Sequence, residues 1–248
     1  ADTREALIGY FAAVTAMDAA IGRVLDRLRA HDIEDETVVV FVSDNGFSCG
    51  QHGFWGKGNG TFPMNMYDES VMVPFIITAP GRLPAGEVRA DLISAYDLPA
   101  TLLELLDLDH RPFESGPGRS FAGVLRGDAS PDVGYTEQPE RPVVVHSEYG
   151  PVRMIRTADR KYVHRHPHGP HEFYDLAEDP GERLNLVDDP ARAGEVARLR
   201  RMLHEWFVRH TAAHADGQGL PVLGAGQIRP LDDDPLGAFA SPGWDGAP

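Results

Sequence analysis

The chain has one cysteine, Cys49, among 248 residues. A single thiol excludes an internal disulfide and any metal site built on several cysteines. Positive charge is also short: 23 Lys and Arg stand against 38 Asp and Glu, for a net charge of −15. General nucleic-acid binding needs a basic footprint, so no nucleic-acid partner is expected. No apolar run approaching the roughly 18 residues needed to span a bilayer is read, and no membrane partner is expected. There is no signal-peptide pattern and no initiating Met. The chain starts almost directly on a helical pattern, as if cut from something longer. The compartment stays open, with a lean towards the cytoplasm. No internal repeat is evident. A nucleotide P-loop is absent, because Gln51 and Gly58 stand where Gly56-Lys57 would need a Gly before it and a Ser or Thr after it.

What is present suits a soluble globular protein of one large domain or one and a half. The informative stretch is Thr37 to Lys57. Val38, Val39, Val40, Phe41 and Val42 make an unbroken apolar run, suited to a strand buried on both faces in a parallel sheet between helices. The run stops at Ser43-Asp44-Asn45-Gly46. Carboxyl ends of strands are where open α/β sheets bind ligands. Asp44 and Asn45 offer the hard oxygens that Ca²⁺ or Mg²⁺ takes. Lys57 closes the Gly-rich loop that follows. A cation and an ammonium together would hold an anionic ester, and in so acidic a chain such a site must be built locally. The plain alternative is a turn, which Asp-Asn-Gly forms for backbone reasons alone.

Along the chain, residues 4–30 read as an amphipathic helix with Leu7, Val14, Ile21 and Leu28 every seven residues. Asp18 interrupts the stripe and reads as structural, accepting hydrogen bonds beneath the site. Phe75–Thr78 reads as a strand begun by Pro74, and Ala90–Ser94 as another short one. Asp97 is expected to cap a helix through Leu106, with Pro99 in its first turn. Residues 108–142, rich in Pro, Gly and acid, look like an excursion. Beyond them, Val143–Tyr149, Arg153–Thr157, Lys161–His164 and Glu172–Tyr174 read as strands of an antiparallel sheet. A helix over about Ala191–His210 follows. The Gly- and Pro-containing stretch 211–248, with Asp232-Asp233-Asp234, is expected to be an extended tail.

The segments SDNG, GQHGFWGKGNGTFPMNMYDESVMVPFIITAPG, DLPATLLELL and YDL…DPGE…NL together resemble the type I sulfatases, arylsulfatase-like members of the alkaline phosphatase superfamily. The resemblance covers most of the chain. It implies an α/β fold. Residues 1–142 would be the C-terminal half of the sulfatase-like core, a partial sheet between helices. Residues 143–210 would be a small antiparallel sheet with a packing helix, and 211–248 the tail. It implies a hydrolase of sulfate esters, on a small molecule or a glycan. Asp44 and Asn45 would be two of four side chains on Ca²⁺, with Mg²⁺ as the alternative. Lys57 would contact the sulfate, and His52 would face the ester or only brace the loop.

Much of the family's machinery is missing. The nucleophile there is a formylglycine made from the first residue of C/S-x-P-x-R, and the other two ligands are Asp residues from an early strand. Cys49 is followed by Gly50-Gln51-His52 and does not fit. Ser115-Gly116-Pro117-Gly118-Arg119 fits letter for letter but lies after the SDNG strand, and reads as a loop. No nucleophile is assigned. The chain is therefore expected to be catalytically incomplete and to need the N-terminal sulfatase segment. The alternatives are a phosphodiesterase or phosphonate hydrolase of the same superfamily, and a non-catalytic remnant or a lobe pairing with a separate chain. Trp55 and Phe54 read as wedges for the loop. His164, His166, His168 and His171 read as a solvated rim rather than a zinc site.

Overall fold

The computed structural model describes residues 3–109, 111–113, 115–127, 141–147 and 150–220. The chain opens on α1, Thr3–Ala30. Its heptad-spaced apolar residues and the absence of Pro and β-branched runs favour helix, and Arg27 and Arg29 complement the dipole at its end. Arg29 then reaches Glu34 at 3.0 Å, and the chain turns through Asp32 in the left-handed region, φ 55°. Among the described residues the apolar surface of α1 is only partly covered: Leu7, Ile21 and Leu28 are half-buried, while Ile8 and Phe11 are 60% exposed and Val24 is 61% exposed. By length and mean hydropathy, 1.3, Arg4–Ala30 is also long and apolar enough to cross a membrane. That average hides the interruptions at Thr15 and Asp18, which is why no continuous run is seen in the sequence. Asp18 is exposed and has no hydrogen bond among the described residues, so the expected supporting role is not realised within them.

The strand β1, Val39–Val42, is shorter than the apolar run. It leads to a small hairpin, β2 at Ser48–Cys49 and β3 at Trp55–Gly56. The short helix α2, Asp68–Val71, precedes β4, Phe75–Thr78, with Pro74 just outside it as expected. β1 pairs with β4 antiparallel, from Val39 opposite Thr78 to Val42 opposite Phe75. The apolar run had pointed to a parallel, doubly buried strand. Within the described residues β1 has one partner, and Val42 and Ile76 stay largely exposed. A run of Val marks a surface that wants cover; it does not say which partner lies alongside.

Ala90–Ser94 forms no strand. Ser94 instead makes a reciprocal capping box with Asp97 at the start of the next turn. The helix α3, Leu98–Leu105, has Pro99 in its first turn. Asp97 precedes it but does not cap it with its side chain. The buried carboxylate accepts from Arg119 N at 2.8 Å and Arg141 Nη2 at 2.7 Å. It therefore fastens the excursion loop to α3. The helix α4, Ala122–Arg126, packs there through Phe121 and Val124 against Phe75, Ile93 and Leu98.

The C-terminal sheet follows the expected pattern. β5 (Val143–His146), β6 (Val152–Arg156), β7 (Arg160–Arg165) and β8 (Glu172–Asp175) pair antiparallel in sequential order. The helix α5, Ala193–His210, lays Leu199, Leu203 and Phe207 on Val144, Ile155, Tyr162 and Phe173. The opposite face, Val152, Met154 and Val163, buries Met66 with Met64 and Val71. Both faces of this sheet are thus covered, each large side chain contributing about 1.5–3 kcal/mol on burial. The second contact ties the sheet to the segment after Lys57. Residues 211–220 are not a free extension, because Asp216 bonds Arg153. Residues 221–248, with the acidic run, lie outside the described residues.

Candidate anion and cation site

β1 delivers Ser43 to Gly46 to the strand end. Ser43 Oγ donates to Asn45 O at 2.7 Å, and Asn45 Nδ2 donates to Gly46 O at 3.0 Å. These bonds fold the tetrapeptide as a turn, the plain alternative read from the sequence. Asp44 is exposed and has neither hydrogen bond nor ion pair among the described residues. Gly46 N donates to Ser70 O at 3.0 Å, pinning the turn to α2. A Cβ on Gly46 would run into the Glu69 carbonyl, so only glycine allows this approach.

The hairpin holds the loop that ends at Lys57. Phe47 meets Tyr10 of α1 at 5.6 Å between ring centroids and Trp55 edge-on at 6.2 Å. Phe54 stacks on Tyr67 at 6.5 Å. Trp55 and Phe54 are thus wedges, as read from the sequence. His52 adopts φ 54° and stacks flat on Tyr67, centroids 3.6 Å apart. Its Nε2 lies 3.6 Å from Glu69 Oε2. Lys57 follows β3 directly, is exposed, and has no carboxylate partner among the described residues.

The two flanks of the site are fixed to one element. Ser70 Oγ donates to Asn65 Oδ1 at 2.7 Å, and Asn65 N donates to Gly58 O at 3.1 Å. Gly46 on one side and Gly58, next to Lys57, on the other are both hydrogen-bonded to the 65–70 segment. That segment is itself anchored from the C-terminal sheet. The buried Lys161 Nζ lies 2.5 Å from Asp68 Oδ1 and 2.6 Å from Glu182 Oε1. Arg156 Nη2 reaches Asp68 at 3.0 Å. Burial pushes the Asp68 carboxyl up, but Lys161 and Arg156 outweigh this and hold it below its usual range. Burial pushes Glu182 up against the pull of Lys161.

Asp44 and Asn45 are two oxygen donors where Ca²⁺ takes six to eight. Among the described residues no group of three or more His, Cys, Asp or Glu could hold a metal ion. The described residues therefore do not complete a cation site. Cys49 is half-buried and its thiol is pushed up by burial, which disfavours the thiolate. Ser115 sits in an exposed turn, while Arg119 folds back onto Gly116 O and Gly118 O.

The histidine cluster differs from the solvated rim expected. His164 is buried; its Nδ1 lies 2.8 Å from Tyr162 Oη, and its ring stacks on His171 at 4.2 Å and meets His166 at 4.4 Å. His168 is exposed and takes no part. The alternation of β7 turns His164 inward, and hydrophilicity alone hid this. Sequence reasoning also missed Glu69, Ser70, Asn65 and the Lys161–Asp68–Glu182 group. The one local signal was the polar Tyr67-Asp68-Glu69-Ser70 just before an apolar strand.

Residues 2–108 match the Sulfatase family model. A Δ4,5-hexuronate-2-O-sulfatase from Bacteroides thetaiotaomicron is 32% identical over 76% of this chain and 38% of its own length. A protein solved in complex with its substrate, D-glucosamine-2-N,6-O-disulfate, is similar with a TM-score of 0.64 and 28% identity, over 84% of this chain and 41% of that one. The phosphonate monoester hydrolase of Silicibacter pomeroyi is similar with a TM-score of 0.62 and 25% identity, over 79% and 39%. The chain spans well under half the length of each.

Proposed function

We propose that this chain, whose residues 2–108 belong to the sulfatase family, is the C-terminal portion of a sulfate-ester hydrolase and is incomplete by itself. Members of that family are sulfuric ester hydrolases. A glycan sulfate is the favoured substrate class, because one matched structure holds a disulfated glucosamine. The observation that carries the reading is the pair of polar ends without partners among the described residues, Asp44 and Lys57, held on either side of the 65–70 segment.

In this reading Asp44 and Asn45 supply part of a Ca²⁺ shell, with Mg²⁺ the alternative. A bound cation would lower the charge of the ester and steady its oxygens. Lys57, exposed and without a carboxylate partner among the described residues, is placed to neutralise a sulfate oxygen. His52 is held by Tyr67 and Glu69 and lines the loop. The remaining ligands and the formylglycine nucleophile would come from the N-terminal sulfatase segment. The partly covered stripe of α1 is read as a face for that segment, not as a membrane anchor, because α1 lies inside the family match. The core of residues 1–142 would then be completed by it, with 143–210 as the C-terminal subdomain.

The test compares the chain alone with the chain joined to, or mixed with, a segment bearing C-x-P-x-R. Aryl sulfate turnover is expected only with both, and lost with Lys57→Ala. Turnover by these 248 residues alone would overturn incompleteness. The match to a phosphonate monoester hydrolase favours a second reading. Turnover of a phosphonate monoester but no sulfate ester by the completed protein would select it.

A further inference from the structure

A cavity of about 310 Å³ lies between α5 and the β6–β7 end of the C-terminal sheet. Its polar lining is Arg153, His164 and His166 from the sheet, and Arg200, Arg201 and His204 from α5. Six cationic or protonatable side chains thus converge within a chain of net charge −15. Asp216 is the acidic neighbour, and it is engaged by Arg153 through an ion pair and a 2.7 Å bond to its carbonyl. Arg200 and Arg201 are exposed and make no ion pair among the described residues. With Nδ1 of His164 beside Tyr162 Oη, its Nε2 has no partner among the described residues.

Concentrating like charge costs stability unless something offsets it. The field is felt locally: burial, and then neighbouring His171, His166, Arg200 and Arg153, push His164 down to about 3. A bound anion would relieve that repulsion, and guanidinium groups are suited to hold a planar or tetrahedral oxyanion in two bonds. The floor of the cavity is Leu203 and Phe207, and the Phe207 ring lies beneath the Arg153 guanidinium at 3.7 Å, which keeps that cation facing the cavity.

We infer that this α5 cavity is an oxyanion-binding site, separate from the Lys57 loop, that takes the sulfate group of a sulfated saccharide or the free sulfate ion. The separation follows from topology. Met64, Met66 and Val71, which lead on from Lys57, pack on the opposite face of the same sheet. The inference stands on charge and geometry and does not need the catalytic reading.

The experiment titrates the full chain with sodium sulfate and, separately, with a sulfated disaccharide at constant ionic strength, followed by calorimetry. Saturable binding is expected, weakened about tenfold or more in Arg200→Ala/Arg201→Ala, the loss expected of charge-assisted bonds. Both side chains are exposed, and circular dichroism checks that the variant folds. Arg209→Ala, on the same helix but outside the cavity, is expected to change binding less than about twofold. Binding of sulfate alone with similar strength identifies the free ion as ligand; a preference for the disaccharide identifies the ester. Lys57→Ala is expected to leave binding intact. Absence of saturable binding, or binding lost in Lys57→Ala and kept in the double variant, overturns the inference.

Discussion

Gly46 shows how little space separates the strand end from α2. Gly46→Ala places a methyl group against the Glu69 carbonyl, and forcing this apart costs about 1–3 kcal/mol. Urea unfolding is expected to show that loss, and a drop within about 0.3 kcal/mol of wild type would contradict the close approach. His164 offers a test in pH. Its pKa falls from 6.5 to about 3 on folding. Between those values the unfolded chain binds more protons than the folded one, so stability rises with pH there and is lost on acidification. The slope from one such group is at most about 1.4 kcal/mol per pH unit. Replacing it, as His164→Gln, is expected to flatten the stability profile between pH 6 and 4. An unchanged slope would mean that other groups govern it.

At the scale of elements, the joint between α2 and the C-terminal sheet rests on Lys161. Lys161→Met would leave the buried Glu182 carboxylate facing the half-buried Asp68, which Arg156 still pairs, at a cost of about 3–5 kcal/mol. Thermal unfolding should show it. Lys161→Met with Glu182→Gln should recover part of the loss, and no recovery would argue against mutual repulsion as the cause. These elements were unequally legible in the sequence. α5 and the four strands β5–β8 stood out because their periodicity is local and α5, which covers one face of the sheet, follows it directly in the chain. Asp44, Asn45 and Lys57 stood out by motif. Asp97 stands at the N-cap position of α3 as expected, but its side chain does not cap that helix, since its carboxylate binds Arg119 and Arg141, remote in sequence. Lys161 was read only as the first residue of a strand, because its partners Asp68 and Glu182 are remote in sequence. The antiparallel partner of β1 was equally hidden, because an apolar run is compatible with either direction of pairing.

For the whole molecule, the partly covered stripe of α1 sets the expected behaviour. Ile8, Phe11 and Val24 make it a surface of the kind that binds hydrophobic dyes or promotes self-association. The chain alone should bind such a dye, and Ile8→Glu with Phe11→Glu should reduce the signal about severalfold without loss of helix. Unchanged dye binding would place the apolar surface elsewhere. The two-stranded ribbon of β1 and β4 carries a related consequence. Among the described residues each strand has one hydrogen-bonding side satisfied and the other open. A polypeptide that completes this ribbon must lay down backbone hydrogen bonds residue by residue, with register set by the alternating side chains. Assembly of that kind resembles templated growth more than the meeting of two finished surfaces. Timing would then matter: a completing segment offered during refolding should join more fully than one added after both pieces have folded.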